Sequence, residues 1–324
     1  MRIGVAYGGF TSEAEISEKS GTVVFETLRE KLTDLYRIII GPNQWMVVDE
    51  HGNQYPLDLK TFKFKQGKET RHFDVIFNAV HGAPGEDGQL AQLLERVQLP
   101  HTSCPSKVAA LTYDKIACLE AAKKIGVKTA KSTQRSKSDP IAIDEILNKI
   151  SLPCFVKANK AGSSFGVYKV HHQNQLEHAI LNAFEEDDQV LIETALIGRE
   201  VSVGAVTLDG KIEVLPITEI ITGEDFFNYE AKYLGKSQEI TPADLTPEIE
   251  KDLQQIVLSL YQNLNLSGLV RIDFIIVDNQ PHMLEINTVP GLTRASIVPQ
   301  QNQCTGRSLF ELFYGMLQSA LSKK

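Results

Sequence analysis

Short apolar runs, glycine turns and amphipathic stretches alternate along the first hundred residues. Residues 2–7 form an apolar run that ends at a Gly-Gly pair, and residues 73–80 form a second run that ends in the loop HGAPGEDG. A helical pattern over residues 12–32, with Ser12 as the predicted N-cap and Glu15 in the first turn, follows the first run, and LAQLLERV follows the second. This succession predicts a parallel α/β unit with ligand-binding loops at the carboxyl ends of its strands.

The rest of the chain predicts further strands and helices. Residues 42–70 are typical of a hairpin with an Asn/Gly turn inserted in the first unit. Turn formers at residues 100–105 indicate a boundary. Later helices are predicted over residues 106–125, 174–186 and 247–264. Strands are predicted over residues 154–159, 167–171 and 189–194 and in the segments EVSVGAVT and KIEVLPITEI. Residues 222–242 are predicted as a polar, aromatic loop.

The segments RIDFIIV and HMLEIN predict two antiparallel strands joined by the tight turn DNQP. Because side chains alternate between faces, Arg271 and Asp273 share one face of the first strand, and Glu285 and Asn287 share one face of the second. If Asp273 lies opposite Glu285 or Asn287, all four side chains project together; a slip of one residue would separate them. The other face is then expected to pack inward through Ile272, Phe274, Leu284 and Ile286.

Two carboxylates and an amide oxygen are hard ligands that suit Mg²⁺, which also binds substrate phosphates. The alternative is a hairpin with a solvated polar face that includes an ion pair between Arg271 and Asp273. The turn NTVPG favours the metal site, because Gly291 allows the backbone to approach a ligand closely and Asn287 faces that turn.

Several lysines lie where a nucleoside triphosphate could bind, since its phosphates need cations and backbone N–H groups. Lys157 precedes the loop AGSSFG, which could wrap phosphates or simply join two strands. Lys115 lies in a helical stretch and could equally be a solvated surface lysine. Lys232 and Tyr233 lie in an aromatic loop that is either a packed cluster or a lid that excludes water. The absence of GxxxxGK[ST] and GxGxxG motifs counts against a P-loop and a dinucleotide-binding fingerprint.

Composition narrows the function classes. A chain of 324 residues and 36.0 kDa favours two or three subdomains. The net charge of -8, without a long basic run, counts against a nucleic-acid or anionic-membrane partner. Four cysteines without metal-ligand spacing indicate free thiols in a reducing compartment. With no signal core and no run of about 20 apolar residues, the sequence predicts a soluble, cytoplasmic protein.

Eight motifs occur in the order found in D-alanine–D-alanine ligases, and over residues 2–318 the chain resembles that family. They are GGFTSEAEIS, HGAPGEDG, YDK, VKANKAGSSFGV, LIE, YEAKY, RIDF and EINTVPGLTRAS. The resemblance implies an α/β and α+β fold, the three-domain ATP-grasp fold with an N-terminal parallel α/β domain. The expected domains are residues 1–103 (N-terminal, substrate), 104–187 (central) and 188–324 (C-terminal, catalytic).

The resemblance also implies a reaction. ATP phosphorylates the carboxylate of one D-alanine, and the amine of a second D-alanine attacks the acyl phosphate, which gives D-alanyl-D-alanine for peptidoglycan precursors together with ADP and phosphate. Catalysis of this kind depends mainly on positioning and charge neutralisation. The implied cofactor is Mg²⁺, as two ions that Mn²⁺ can replace, and the implied assembly is a homodimer.

Site roles follow from the same resemblance. Asp273, Glu285 and Asn287 would hold the metal ions, while Arg271 and the backbone at Gly291 would stabilise the oxyanion. ATP would contact Lys115, Lys157, Ser164, Glu193, Leu196, Glu200 and Lys232. The remaining roles concern the amino-acid substrates. Glu15 would hold the ammonium of the first D-alanine, with His81 near the same molecule, and Ser163 and Tyr233 would link Glu15 to the lid. Ser296 and Ile297 would bind the carboxylate of the second D-alanine.

Two departures from the family pattern leave contacts open. Ala161 stands where many members have an acidic residue, and Thr194-Ala195 replaces a lysine and a tryptophan near the adenine. Three rival functions also remain: a D-alanine–D-lactate ligase, an ATP-grasp ligase for another amino acid, and a nucleotide-binding sensor without turnover. Tyr233 after Lys232 favours the dipeptide, and Arg271 with the lysines and metal ligands argues against a sensor.

Overall fold

Three β-sheets of seven, four and six strands organise the computed structural model, which describes residues 1–162, 165–222 and 237–322. The seven-stranded sheet is N-terminal, the four-stranded sheet is central and the six-stranded sheet is C-terminal. This arrangement confirms the predicted combination of α/β and α+β architecture. Four predicted site residues lie outside the described residues: Ser163, Ser164, Lys232 and Tyr233.

The N-terminal sheet has a parallel centre and an antiparallel edge. Its elements are β1 (Ile3–Gly8), α1 (Ala14–Arg29), β2 (Leu35–Ile40), β3 (Trp45–Val48), β4 (Gln54–Asp58), β5 (Lys63–Gln66), β6 (Glu69–Arg71), β7 (Val75–Asn78) and α2 (Gln89–Arg96). The strand β1 is parallel to β2 and β7, which confirms the predicted parallel unit. The inserted segment 42–70 continues the same sheet as an antiparallel meander, because its short loops can join only antiparallel neighbours.

The central sheet is antiparallel, in the order β10-β9-β11-β8. This part of the chain contains α3 (Ser106–Tyr113), α4 (Lys115–Lys124), β8 (Ser132–Ser136), α5 (Ile143–Leu147), β9 (Cys154–Ala158), β10 (Val167–Val170), α6 (Gln173–Ala183) and β11 (Gln189–Thr194). Because β11 pairs with β8 and β9, the chain leaves this sheet only after Thr194, and the boundary predicted at residues 187/188 falls before its last strand.

The C-terminal sheet has the order β15-β14-β12-β16-β17, with β13 paired to β12. Its elements are β12 (Arg199–Leu208), β13 (Lys211–Val214), β14 (Thr218–Thr222), β15 (Ser237–Ile240), α7 (Pro247–Asn263), β16 (Leu269–Val277), β17 (Gln280–Asn287), α8 (Ile297–Cys304) and α9 (Leu309–Leu321). One face of this sheet is covered by α7, α3 and α4 in a single apolar core that includes Leu119, Leu253 and Phe274. The opposite face of β12, β16 and β17 faces a cavity.

The hairpin of β16 and β17 has the predicted pairing at its polar end. Asp273 lies opposite Glu285, and Arg271 lies opposite Asn287. The turn consists of Asp278 and Asn279, which both have a left-handed backbone with φ of 50° and 61°, as a two-residue hairpin turn requires. The predicted clustering of the four polar side chains on one face is therefore confirmed.

A β-bulge changes the register within this hairpin. Near the turn the pairing runs through Phe274 and Met283, so Leu284 is the extra residue before Asp273 meets Glu285. Met283 is 1% exposed and packs in the core with Phe274, whereas Leu284 lines the cavity. The expectation that Leu284 packs inward was wrong, because the extra residue reverses which faces the preceding side chains occupy.

The C-terminal helix α9 connects the N-terminal and C-terminal sheets. Its buried residues share a core with Val5 and Phe77 of the first sheet and with Leu208 of the third. The rings of Phe77 and Phe313 meet edge to face, with centroids 5.5 Å apart. The helix is fixed at its start by a capping box between Ser308 and Glu311. The first and third sheets are thus packed together through one helix.

Two further features of the described residues bear on the predicted environment. Cys104, Cys118, Cys154 and Cys304 are free thiols, and three of them are buried. In the part of the chain that the structure describes, none of the helices has the length and apolarity needed to cross a membrane.

Gly21 of α1 offers a test of the packing of the first sheet. A Cβ at this position would lie 2.5 Å from the Cβ of Tyr7, a residue of β1 that cannot move aside. We expect Gly21→Ala to lower the free energy of unfolding by about 1–3 kcal/mol through overpacking, although Ala in a helix is normally about 1 kcal/mol better than Gly. Urea denaturation checks this, and an unchanged or increased stability would contradict it.

Candidate active site

A cavity of about 810 Å³ opens between the three sheets. Its walls are the loops at the carboxyl ends of β1 and β7, the strands β9 and β11, the polar face of β12, β16 and β17, and the loop before α8. Most of the residues predicted for the site line it: His81, Lys115, Lys157, Glu193, Leu196, Glu200, Arg271, Asp273, Glu285, Asn287, Gly291, Ser296 and Ile297. Residues from every part of the chain therefore meet in one place.

Asp273 is the centre of the polar cluster on the hairpin. It is 6% exposed, and the Arg271 guanidinium holds it at two points, with Nε 2.9 Å from Oδ1 and Nη2 2.7 Å from Oδ2. The Ser202 hydroxyl donates to its Oδ1, and the Asn287 amide donates to its Oδ2 at 3.1 Å. The same amide reaches Glu285 Oε1 at 3.5 Å. These contacts compensate the carboxylate for its lost hydration.

This cluster has the donor set of a hard divalent cation. Asp273 and Glu285 supply carboxylate oxygens, and Asn287 lies between them. The amide presents its NH₂ group to both carboxylates, and rotation by half a turn would present its oxygen instead. No group of three His, Cys, Asp or Glu side chains in residues 1–162, 165–222 and 237–322 is arranged to hold a metal ion. A metal site here therefore needs the Asn287 amide as its third protein ligand.

Lys157 and Glu193 form a buried ion pair on adjacent strands of the central sheet. Their side chains are only 16% and 4% exposed. Burial lowers the pKa of Lys157, but the charge and hydrogen bond of Glu193, with smaller contributions from Glu285 and Glu200, outweigh it, so the pKa is raised. Lys157 thus remains a fixed cation on the cavity wall.

Lys115 is positioned by the start of α4. The Asp114 side chain caps this helix by accepting from Ala117 N at 2.9 Å, and Asn159 Oδ1 accepts from Ile116 N at 2.9 Å. The ammonium of Lys115 donates to the carbonyl of Ala161, in the loop that follows β9. Lys115 therefore lies in the cavity wall and is only partly exposed, which favours the predicted phosphate-binding role over a solvated surface lysine.

Glu15, the residue predicted to contact the substrate, lies outside the cavity. Its side chain is 75% exposed and pairs with Lys19 at 2.9 Å. Glu13 is 7% exposed and lines the cavity instead. The helix begins at Ala14, so Glu13 is at the N-cap and points back towards the loops, while Glu15 lies about 200° further round the helix.

Two glycines accommodate the Glu13 carboxylate. A Cβ at Gly82 would lie 2.8 Å from Glu13 Oε2, and a Cβ at Gly162 would clash with both carboxylate oxygens. Gly82 belongs to the loop after β7, and Gly162 belongs to the loop after β9. Glu13 therefore lies between loops of two sheets and occupies the position in the cavity wall that was expected of Glu15.

His81 is buried in the wall formed by the first sheet. Its Nδ1 lies 3.7 Å from Glu86 Oε1, and its Nε2 lies 2.9 Å from the Ser20 hydroxyl. Burial raises the pKa of Glu86; His81 opposes this, and the charges of Glu13 and Glu285 add to it. Sequence reasoning missed Glu86, although it lies within the loop motif HGAPGEDG.

The loop between β17 and α8 forms the remaining wall. Thr293 and Ser296 share a hydroxyl–hydroxyl bond of 2.8 Å, and Ser296 is the N-cap of α8. A Cβ at Gly291 would lie 2.7 Å from Ser296 Oγ, so glycine allows the turn to close. The hydroxyl and the first N–H groups of a helix together favour an anion.

A further cavity acid that the sequence did not indicate is Glu239 of β15. Its Oε2 accepts from Gln300 Nε2 at 2.8 Å, and burial raises its pKa, against the opposing effects of Gln300 and the charge of Arg271. Nothing in its sequence context distinguishes it from a surface glutamate.

Comparison with known proteins supports these observations. Family models for the D-ala D-ala ligase N-terminus and C-terminus match residues 2–104 and 118–318. The chain belongs to the D-alanine–D-alanine ligase family. It is 44% identical over 323 residues to the D-alanine–D-alanine ligase of Christiangramia forsetii, covering 100% of this chain and 99% of the relative. The ligase of Flavobacterium johnsoniae is 45% identical over 320 residues, with 99% of each chain covered.

Solved structures of related ligases have the same fold. The D-alanyl-alanine synthetase A of Vibrio cholerae has a TM-score of 0.88 at 28% identity, covering 99% of this chain and 98% of its own. The VanG D-Ala:D-Ser ligase of Enterococcus faecalis has a TM-score of 0.87 at 28% identity, covering 98% and 99%. The D-alanine–D-alanine ligase of Bacillus anthracis complexed with ATP has a TM-score of 0.80 at 27% identity, covering 100% and 97%.

The two glutamates of the first helix can be separated by substitution. We expect Glu13→Gln to lower kcat/KM for D-alanine about 100-fold or more if this carboxylate holds the substrate ammonium, because removing one partner of a buried charge pair costs about 3 kcal/mol. Glu15→Gln is the matched control and should stay within about twofold, since its exposed ion pair contributes little. Steady-state ADP formation measures both, and a larger loss in Glu15→Gln would restore the original assignment.

Proposed function

We propose that this chain joins two D-alanines to D-alanyl-D-alanine at the expense of ATP, through a D-alanyl phosphate. One observation carries the proposal. In a single cavity, the acidic face of the β16–β17 hairpin meets Lys115 and Lys157 from the central part of the chain. Its support is the family membership and the relative whose structure contains ATP. The product would serve peptidoglycan precursor synthesis.

ATP binding is assigned to the cavity walls of the central sheet. Lys115 and Lys157 would neutralise phosphate oxygens, which is the main requirement of phosphoryl transfer. Glu193 and the backbone of Leu196 would contact the adenine, and Glu200 would bind the ribose. Ser164 and Lys232, outside the described residues, are assigned to the phosphates by family resemblance alone. Since Thr194 and Ala195 line the cavity too, we expect the base contacts to differ from those of members with a lysine and a tryptophan.

Divalent metal ions are part of the proposal. Asp273, Glu285 and Asn287 would hold Mg²⁺, whose role when bound is to neutralise charge on the transferred phosphoryl group. The fit rests on the oxygen donors of the hairpin, and on the Asn287 amide between the two carboxylates. Mn²⁺ has compatible ligand preferences and would substitute.

The amino acids are assigned to the opposite walls. Glu13, in place of Glu15, would hold the ammonium of the first D-alanine beside His81. The Ser296 hydroxyl and the Ile297 N–H would bind the carboxylate of the second D-alanine at the start of α8. Arg271 and the Gly291 N–H would stabilise the oxyanion that forms when the second amine attacks. The proposal that Ser163 and Tyr233 form the link to the lid is unchanged.

Two properties of the whole protein stay proposals. A cytoplasmic location agrees with the free thiols, and a homodimer follows from the family resemblance.

The choice of the second substrate has a specific alternative. The Enterococcus faecalis relative is named as a D-Ala:D-Ser ligase and has nearly the same TM-score as the synthetase from Vibrio cholerae. Fold alone therefore does not discriminate among D-alanine, D-serine and D-lactate as the nucleophile. The preference for D-alanine rests on relatives at 44% and 45% identity and on Tyr233.

Product analysis decides between these substrates. With ATP and Mg²⁺, D-alanine alone should give D-alanyl-D-alanine and one phosphate per dipeptide, whereas L-alanine gives neither. Mixed incubations with D-serine or D-lactate should yield mainly the D-alanine dipeptide by mass spectrometry. Absence of dipeptide from D-alanine alone would overturn the proposed function, and a dominant mixed product would replace it by the corresponding alternative.

The metal site is tested by Glu285→Gln. We expect this substitution to weaken Mn²⁺ binding at least about tenfold, because a carboxylate ligand becomes a neutral amide, and to abolish most of the turnover. Asp278→Asn in the turn of the same hairpin is the control, since it removes an exposed carboxylate and keeps a residue that tolerates positive φ. Mn²⁺ titration by electron paramagnetic resonance and thermal melting separate the two roles: unchanged Mn²⁺ affinity, or a collapsed fold, would count against a metal-binding role.

A further inference from the structure

A buried serine connects the first sheet to the turn before α8. Ser20 of α1 is 0% exposed, and its hydroxyl accepts the backbone N–H of Leu292 at 3.2 Å. The same hydroxyl lies 2.9 Å from Nε2 of His81. Ser20 and Leu292 are 272 residues apart, so this contact joins the N-terminal and C-terminal parts of the chain.

Hydrogen-bond accounting assigns the protons in this link. The Ser20 oxygen accepts from Leu292, and its own hydrogen can be donated to His81 Nε2. His81 then carries its proton on Nδ1, which faces Glu86 Oε1 at 3.7 Å. This tautomer, assigned from the network, satisfies the Leu292 N–H, the Ser20 hydroxyl and His81 Nε2, and it directs the Nδ1–H towards Glu86.

We infer that Ser20 is a positioning residue, which sets the turn at Gly291 and the His81 imidazole as one unit. The inference rests on the proposed function, in which the Gly291 N–H faces the developing oxyanion and His81 lies beside the first D-alanine. The Leu292 N–H belongs to the peptide unit that directly follows Gly291, so a shift of this N–H tilts the preceding turn. A donor displaced by about 1 Å can lower a rate about 100-fold.

Ser17, one turn earlier on the same helix, provides a matched comparison. It is also 0% exposed; its hydroxyl accepts from Gly8 N at 2.9 Å and donates to Ala79 O at 2.8 Å. Both partners belong to the first sheet and its loops, and neither lies in the turn before α8. Ser17 and Ser20 therefore differ in what they position, while their burial and their number of hydrogen bonds are alike.

The experiment compares Ser20→Ala with Ser17→Ala in the full-length enzyme. Each substitution removes a hydroxyl that hydrogen-bonds to two buried polar groups, so the melting temperatures of the two variants should fall by similar amounts. Only Ser20→Ala should lower kcat, by about 10- to 100-fold, with KM for ATP within about twofold of wild type. Equal kcat losses in both variants, or full activity of Ser20→Ala, would overturn the inference.

A double substitution separates positioning from general loosening of the fold. If Ser20 and His81 act as one unit, Ser20→Ala/His81→Gln should have about the same kcat as the more damaging single variant. Losses that multiply would mean that the two residues act independently, which contradicts the inference. Wild-type enzyme that forms no dipeptide would remove the proposed function itself, whereas active wild type with parallel serine variants removes only the role of Ser20.

Discussion

The β-bulge at Leu284 is the constraint on which the acidic face of the cavity depends. The two-residue turn at Asp278 and Asn279 places Val277 opposite Gln280, and with that register alone Asp273 would face Leu284. The extra residue moves the partner of Asp273 to Glu285 and turns the Glu285 side chain into the cavity. A hairpin without the bulge would thus bury a carboxylate in the apolar core, at a cost of several kcal/mol.

The bulge also places two carboxylates opposite each other, and the surrounding residues compensate their charge. Asp273 is nearly inaccessible and lies across from another carboxylate, so it needs the Arg271 fork, the Ser202 hydroxyl and the Asn287 amide. On the opposite wall, Lys157 is held as a cation by Glu193. Each of the two walls therefore holds an ion pair in place before any ligand enters, in a protein whose net charge is -8. Such preorganisation is what phosphoryl transfer demands of a protein.

Local patterns predicted much of this site, and long-range geometry decided the rest. Strand alternation placed Arg271, Asp273, Glu285 and Asn287 on one face, but no residue type announces a bulge, so Leu284 was assigned to the wrong side. Glu13 and Glu15 both follow a glycine pair, and only the exact start of α1 determines which one enters the cavity. The contact of Ser20 with Leu292 has no sequence signal, because neither residue type at such a separation is distinctive.

No single sheet carries the whole site, so its geometry depends on how the sheets are held together. The first and third sheets share an apolar core through α9, where Phe313 meets Phe77 and where Leu208 and Val5 are buried. Ser20 connects α1, which packs on the first sheet, with the turn before α8, and it does so with hydrogen bonds in place of apolar contact. Apolar attraction is non-directional, whereas hydrogen bonds weaken steeply when their distance or angle departs from the optimum. The core thus brings the two walls together, and the Ser20 link sets their final alignment.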